Sequence, residues 1–416
     1  MRRLLLILAI AALTVPACAS AHANLVRTVP ADGAMLSTGP SQIVVVFDDV
    51  VRVGPGNEAV RNGGGSILAG KPRANGKTLV FRLRSGLANG DYSVRWSILS
   101  DDGHLEQGVL AFAVGTGRPP SASTLRPGAE VGPGTVLTRW LFFVGLLIAA
   151  GLALFDLVVW FPATRAPLPS GWIAIGLAAV FVSASALLHQ SHAGAATRFG
   201  LAMLFAAAVS AAGATAAAIA TVDRTAAPFA LVPALALLPV PTLAGHSLDP
   251  GRSWIDAPVD FLHVAAAAVW IGGVLALALI VPRLDAPADL TAAAARRFSR
   301  IALVAVLVVG TTGVGRALAE LSAVSQLWTT SYGKVILVKT ALFALLLVLG
   351  PVSRSLLASA RLRYSVSAEL AVQLGLMAAV AVLTALPPGR QAHPASPSGR
   401  ADRASAGRAT GTPPAG

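Results

Sequence analysis

The chain has almost no cysteine. Its 416 residues include one, Cys18, which falls inside a predicted signal peptide, so the mature protein is expected to hold no disulfide and no thiolate ligand. Charge is scarce too. Asp, Glu, Lys and Arg make up 12% of the residues, about half the usual soluble level. Methionine is rarer still, and beyond the leader only Met35, Met203 and Met377 remain, far apart in sequence. That argues against a soft-metal site of clustered thioethers. No nucleotide-binding loop and no Asp-Lys-Thr-type phosphorylation motif occurs, so no ATP-driven step is expected within the chain. The net charge of +13 is scattered between apolar segments without a basic stripe or recognition motif, which argues against nucleic acid as a partner.

What is present divides the chain into five parts. Arg2 and Arg3 precede an apolar run from Leu4 to Val15, and Ala19-Ser20-Ala21 is an A-x-A cleavage site, so residues 1–21 read as a signal peptide. Val15-Pro16-Ala17-Cys18 is a weaker, lipoprotein-like alternative. Residues 22–116 read as an all-β antiparallel sandwich, because Leu79, Phe81 and Leu83, then Tyr92, Val94, Trp96 and Ile98, then Leu110, Phe112 and Val114 alternate with other residues. Asn75-Gly76 and Asn89-Gly90 are tight-turn dipeptides, and Trp96 reads as a core residue. Residues 117–135 form a Gly-, Pro- and Ser-rich linker. Residues 136–386 contain eight apolar spans near bilayer length, about 20 residues each, and predict an all-α polytopic membrane domain. Residues 387–416 have almost nothing to bury and read as a disordered tail.

Cleavage after Ala21 would leave His22 at the mature N-terminus. Its α-amine and ring nitrogen are two donors in one residue, and nitrogen-rich, roughly planar sites suit Cu(II). Asp102 and His104, two apart, project to one face of an extended segment. These residues would supply N, N, N and O donors. The same stretch, Asp102-Gly103-His104, is also a good turn without any metal, and imidazole suits zinc as well as copper.

With the sandwich outside, eight spans return the C-terminus to the outside. The cytoplasmic loops then carry most of the arginines, as the positive-inside rule expects, although the basic tail does not fit. His189, His192, His246 and His263 all fall at the outer face in this topology. His189 and His192 read as headgroup-region residues, whereas His246 and His263 are candidates for function, since ionisable groups within a membrane are costly. Gly272-Gly273 reads as a close helix contact. Lys339 and Glu369 are read as pairing with each other or snorkelling, and Asp156 as lying near the cytoplasmic surface.

Several motifs resemble known families. His22-Ala23-Asn24-Leu25, Pro30-Ala31-Asp32-Gly33-Ala34, Val46-Phe47-Asp48-Asp49, and Tyr92 to Trp96 through Ser100-Asp101-Asp102-Gly103-His104 to Phe112-Ala113-Val114-Gly115 resemble the copper-resistance protein C (CopC) family. These are small periplasmic cupredoxin-like β-sandwiches that bind Cu(II). The resemblance implies a metal set of His22, Asp102 and His104. The family's Ser-Glu-Pro is replaced here by Asp48-Asp49-Val50. Asp48 and Asp49 read as exposed turn residues, with Asp49 as an outer carboxylate in a second reading. Gly245-His246, Asp260-Phe261-Leu262-His263, Ala268 to Gly273, Arg297-Phe298-Ser299-Arg300, Ser331-Tyr332-Gly333-Lys334 and Glu369 are similar to the copper-resistance protein D (CopD) family of inner-membrane proteins associated with copper uptake.

Together these resemblances imply a non-enzymatic protein of the cytoplasmic membrane, multi-pass and surrounded by lipid, with its N-terminal domain in the periplasm. It would capture Cu(II) outside and pass copper to a membrane domain at His246 and His263 for import, with copper chaperones or reductases as further partners. The alternative is a copper sensor or buffer without transport. A copper oxidase built on the N-terminal histidine and a secondary transporter for another solute are further rivals. No pair of broken, symmetric spans stands out in the sequence to support the last of these.

Overall fold

A computed structural model of the protein describes residues 23, 25–100, 105–125, 132–164, 166–191, 194–248, 253–321, 323–355 and 362–386. The expected signal peptide, the expected tail beyond Leu386 and three expected metal ligands, His22, Asp102 and His104, lie outside the described residues.

Among the described residues there are nine strands: β1 (Leu25–Val29), β2 (Ala34–Leu36), β3 (Gln42–Phe47), β4 (Arg52–Val53), β5 (Glu58–Arg61), β6 (Arg73–Asn75), β7 (Thr78–Arg82), β8 (Gly90–Leu99) and β9 (Leu105–Val114). One sheet has the order β1-β3-β7-β6 and the other β2-β9-β8-β4, with β5 also on β8. The sandwich departs from pure antiparallel pairing at β2, which runs parallel to β9. The Pro30 to Gly33 turn hooks the chain there: Gly33 N–H donates to the Ala111 carbonyl at 2.8 Å, and Asp32 Oδ1 accepts from Ala111 N–H at 2.8 Å.

The inward positions of β7, β8 and β9 are those the alternation marks. Ile43, Val45, Phe47, Leu79, Phe81, Tyr92, Val94, Ile98, Leu110 and Phe112 are buried between the sheets, and full burial of such side chains contributes about 1.5–3 kcal/mol each. Trp96 is indeed in this core. Phe47 meets it edge-on at 5.3 Å, and its indole lies over Gly108, where a side chain would collide with the ring.

The outer face of β8 is also covered, because Ser93 and Ser97 are small enough to admit neighbouring chain. Asn57 clasps Ser97, its Nδ2 donating to the carbonyl at 2.8 Å and its Oδ1 accepting from the N–H at 2.7 Å. After β9 the chain turns back onto the same sheet. Arg118 and Ser121 donate to Asp91 Oδ2 at 3.1 and 2.7 Å, and Thr124 N–H donates to Ser93 Oγ at 3.0 Å. The first part of the expected linker is therefore strapped to the sandwich. From Leu125 to Gly132 there remain seven residue steps, at most about 25 Å of chain.

The apolar spans form helices: α1 (Pro133–Phe155), α2 (Gly171–Ser191), α3 (Arg198–Ile219), α4 (Ala227–Ala236), α5 (Val240–Ala244), α6 (Asp256–Leu275), α7 (Ala288–Ala319), α8 (Ser331–Ser355) and α9 (Leu362–Leu383). Among the described residues seven helical spans are long and apolar enough to cross a membrane, α4 and α5 together making one, and α9 adds a shorter apolar stretch, Ser367–Leu383. Arg139 Nη1 at the start of α1 donates to the Thr384 carbonyl just beyond α9 at 2.7 Å. The first and last helices thus meet at one face, as an even number of crossings requires.

Helix α1 is central, packing against α2, α4, α6 and α9. It meets α6 at paired glycines: a Cβ on Gly151 would stand 2.5 Å from the Ala268 carbonyl and 2.8 Å from Gly272 Cα. The close contact read from Gly272-Gly273 is present, with Phe298 lying over Gly273. Both helices continue into five-residue π-turns, Asp156–Trp160 and Ala276–Ile280. That pairing of interrupted helices was not visible in the sequence, since π-turns leave no gap in hydropathy. Leu303, Leu307 and Val314 on α7 and Val338 and Val348 on α8 are exposed, as an exterior facing lipid tails requires.

Leu99, the last of β8, packs in the hydrophobic cluster of the helical domain and not in that of the sandwich.

Candidate functional site

The described neighbours of the three expected outer ligands converge. Ala23, next to His22, is fully buried in the sandwich core. Leu25 pairs with Phe47 at the end of β3. The chain then runs through Asp48 and Asp49 to Arg52, which pairs with Leu99. Leu99 in turn pairs with Leu105, closing the hairpin that contains Asp102 and His104. Register alone therefore brings the start of β1 and the β8–β9 hairpin to one end of the sandwich. This placement fits a site that draws ligands from both.

Asp48 and Asp49 differ from the exposed pair expected. Asp48 is exposed and its carbonyl accepts from Lys77 Nζ at 2.7 Å, but Asp49 is buried at 7% exposure. Its Oδ1 accepts from Val50 N–H at 2.6 Å, which folds the carboxylate back against its own turn. Asp49 thus lies as a buried carboxylate between β3 and β4, at the end of the sandwich where the β8–β9 hairpin closes.

In the helical domain a second set of polar groups lies between α6, α7 and α8. His263, two turns into α6, contacts Thr312 Oγ1 on α7 through Nδ1 at 2.9 Å. Asp260, one turn earlier, faces Arg316 at 3.6 Å. Arg316 also donates to Glu320, one turn along α7, at 3.2 Å. Lys339 on α8 interacts electrostatically with Asp260 and Arg316. Two carboxylates thus balance two cations, as a low-dielectric setting demands.

The turn His246–Leu248 packs onto this end of α6. Ser247 Oγ is 3.4 Å from Asp260 Oδ2, and Arg198 Nη2 holds the turn by donating to the Gly245 carbonyl at 2.8 Å. The fold therefore brings the backbone of His246 to the helix that carries His263; the His246 side chain lies outside the described residues. His189 is exposed at the end of α2, and His192 lies outside the described residues. Among the described residues no three of His, Cys, Asp and Glu form a ready metal cage.

The expected pairing of Lys339 with Glu369 is not present. Lys339 joins the Asp260 cluster, while Glu369 is buried beside Ser353. Asp156 is likewise buried and accepts from Leu168 N–H at 3.0 Å. Sequence reading missed Thr312, Arg316, Glu320 and Arg198. The signal for Arg316 and Glu320 was there: two opposite charges four apart at the end of an apolar span.

A β-sandwich joined to a polytopic helical bundle with an ionic cluster between its helices defines a multi-pass membrane protein with an appended β-domain. Two family models match it: CopC domain over residues 25–115 and Copper resistance protein D over residues 292–385. The chain belongs to the copper-resistance families as a CopC–CopD fusion. The "Copper transport protein CutJ" of Bacillus subtilis (strain 168) is 26% identical over 89% of this chain and 75% of its own length. "Protein YobA" of Escherichia coli (strain K12) is 30% identical over 23% of this chain and 79% of its own. The crystal structure of CopC from Methylosinus trichosporium OB3b aligns with 22% of this chain and 93% of its own at 23% identity, with a TM-score of 0.20.

Proposed function

We propose that the sandwich captures Cu(II) outside the cytoplasmic membrane through the His22 amine and ring, Asp102 and His104, and passes copper to the helical domain near His246 and His263 for import. The observation that carries this reading is Leu99. It ends the strand that leads into the Asp102–His104 hairpin, and it packs with the helices. The donor loop is thus joined directly to a residue docked on the membrane domain. The short length of chain between Leu125 and Gly132 adds to this, since a short connection keeps donor and acceptor at high effective concentration.

The outer site is tested by Cu(II) titration of the mature protein, alongside the same protein with one extra residue ahead of His22. Extension blocks the α-amine, so binding is expected to weaken strongly. Equal binding by both forms would eliminate the amino-terminal chelate. Import is tested by copper uptake into proteoliposomes, with His263→Ala as the comparison. A sensor or buffer that passes no metal across the membrane would bind copper equally well and give no uptake.

A further inference from the structure

His263 has two ring nitrogens, and only one that lacks a proton can bind a metal. Its surroundings on α7 decide which. An added Cβ at Gly313 would lie 3.5 Å from His263 Cε1 and 4.0 Å from Nδ1, so the Nδ1–Cε1 edge of the ring faces this helix. Thr312 Oγ1 is 2.9 Å from Nδ1. A hydroxyl carries one proton, and that of Thr312 is already engaged by its own helix. Oγ1 donates to the Val308 carbonyl at 2.5 Å, with the Val309 carbonyl at 3.4 Å as the other acceptor in reach. Toward His263 the hydroxyl can then offer only a lone pair. The Val309 carbonyl is a further acceptor for the ring. The two α7 groups that hydrogen-bond the ring, the Thr312 hydroxyl and the Val309 carbonyl, are thus acceptors, while Arg316 on the same helix acts on it through charge; Nδ1 is therefore the donor.

We infer that Thr312 is a positioning residue that fixes His263 as the Nδ1–H tautomer, leaving Nε2 as its one nitrogen free to bind an incoming copper ion. Outer-sphere partners of ligating histidines commonly act in this way, fixing both ring orientation and tautomer. Thr311, one position earlier, is exposed and bonds only within its own helix; it provides the control. The use of Nε2 for copper rests on the function proposed above, whereas the tautomer does not.

The test uses the full protein in lipid nanodiscs with ¹⁵N-labelled histidine, and His263→Gln to assign the His263 resonances. His22, Asp102 and His104 are replaced by alanine, so that added Cu(I) reports only on the membrane domain. Without metal, His263 should carry its proton on Nδ1. Thr312→Val leaves only the Val309 carbonyl as acceptor and should shift population toward the Nε2–H form, Thr312→Ser should retain the preference, and Thr311→Val should leave it unchanged. A protonated Nε2 in the parent protein, or an unaltered tautomer in Thr312→Val, would overturn the inference. On titration with Cu(I), Nε2 should shift, and Thr312→Val should weaken binding about 10- to 100-fold; a shift at Nδ1 instead would refute the assignment. The expected tautomer with no metal-dependent shift at all would uphold the inference while overturning the proposed function of His263.

Discussion

Removing the Arg316 side chain should do more damage than removing the whole ionic cluster. Arg316 stands 3.6 Å from Asp260 and 3.2 Å from Glu320, and all three side chains are mostly buried. At an effective dielectric constant of about 20, each contact is worth about 5 kcal/mol of Coulomb attraction. Most of that offsets desolvation of the charges, so the pairs add little net stability. Arg316→Met changes the balance. Lys339 alone would then face Asp260, and Glu320 would keep a charge with its i−4 partner gone. The expected loss is about 3–5 kcal/mol, the usual effect of breaking a buried pair from one side.

Neutralising the rest of the cluster as well, in Arg316→Met/Asp260→Asn/Glu320→Gln/Lys339→Met, should recover at least half of that loss. Thermal unfolding in a fixed detergent, read by intrinsic fluorescence, compares the single and quadruple variants directly. The single variant should melt lowest, by several degrees at about 2–4 °C per kcal/mol. If the quadruple variant melts as low as Arg316→Met or lower, the cluster does not act through charge compensation and this reasoning is wrong.

Three further outcomes are expected. Gly108→Ala would push a methyl into the Trp96 indole and should destabilise the sandwich by about 1–3 kcal/mol, measurable as a lower denaturation midpoint by Trp fluorescence. Hydrogen bonds from Ser121 hold the Asp91 carboxyl below the ordinary value of 3.8. The strap of residues 116–125 should therefore keep its full contribution above that value and lose it only as pH falls through the lower, folded-state pKa; Asp91→Asn should raise hydrogen exchange in the strap at neutral pH. Copper must displace protons from the imidazoles and α-amine of the outer site, so Cu(II) affinity should fall steeply below about pH 6. Affinity that stays flat down to pH 4 in isothermal titration would remove His22 and His104 from the ligand set.

Some features were legible in the residues because they depend on local pattern. Alternation gave the inward faces of β7, β8 and β9, since side-chain direction in a strand has a fixed period of two. Hydropathy marked the helical spans because a bilayer core demands some 20 apolar residues for each crossing. Gly272-Gly273 could be read as a helix contact, because a glycine pair in an apolar span has few other uses. Asp49 was misread for a related reason. Two adjacent aspartates look like a solvated turn, and nothing in their sequence shows that one carboxylate folds back on the N–H of the next residue, Val50, while the other residue is exposed.

The sequence by itself determined the order of the parts, the class of each domain, and the histidines and aspartates worth following. Those follow from composition, periodicity and short motifs, which act over a few residues. Tertiary structure alone decided which groups meet. It set Arg316 between Asp260 and Glu320, joined Lys339 to Asp260 and not to Glu369, and aimed the Thr312 lone pair at His263. It also tied the chain after β9 back onto Asp91 and seated Leu99 among the helices. These contacts join residues tens or hundreds of positions apart, and their partners are selected by how helices and sheets pack, which no local pattern specifies.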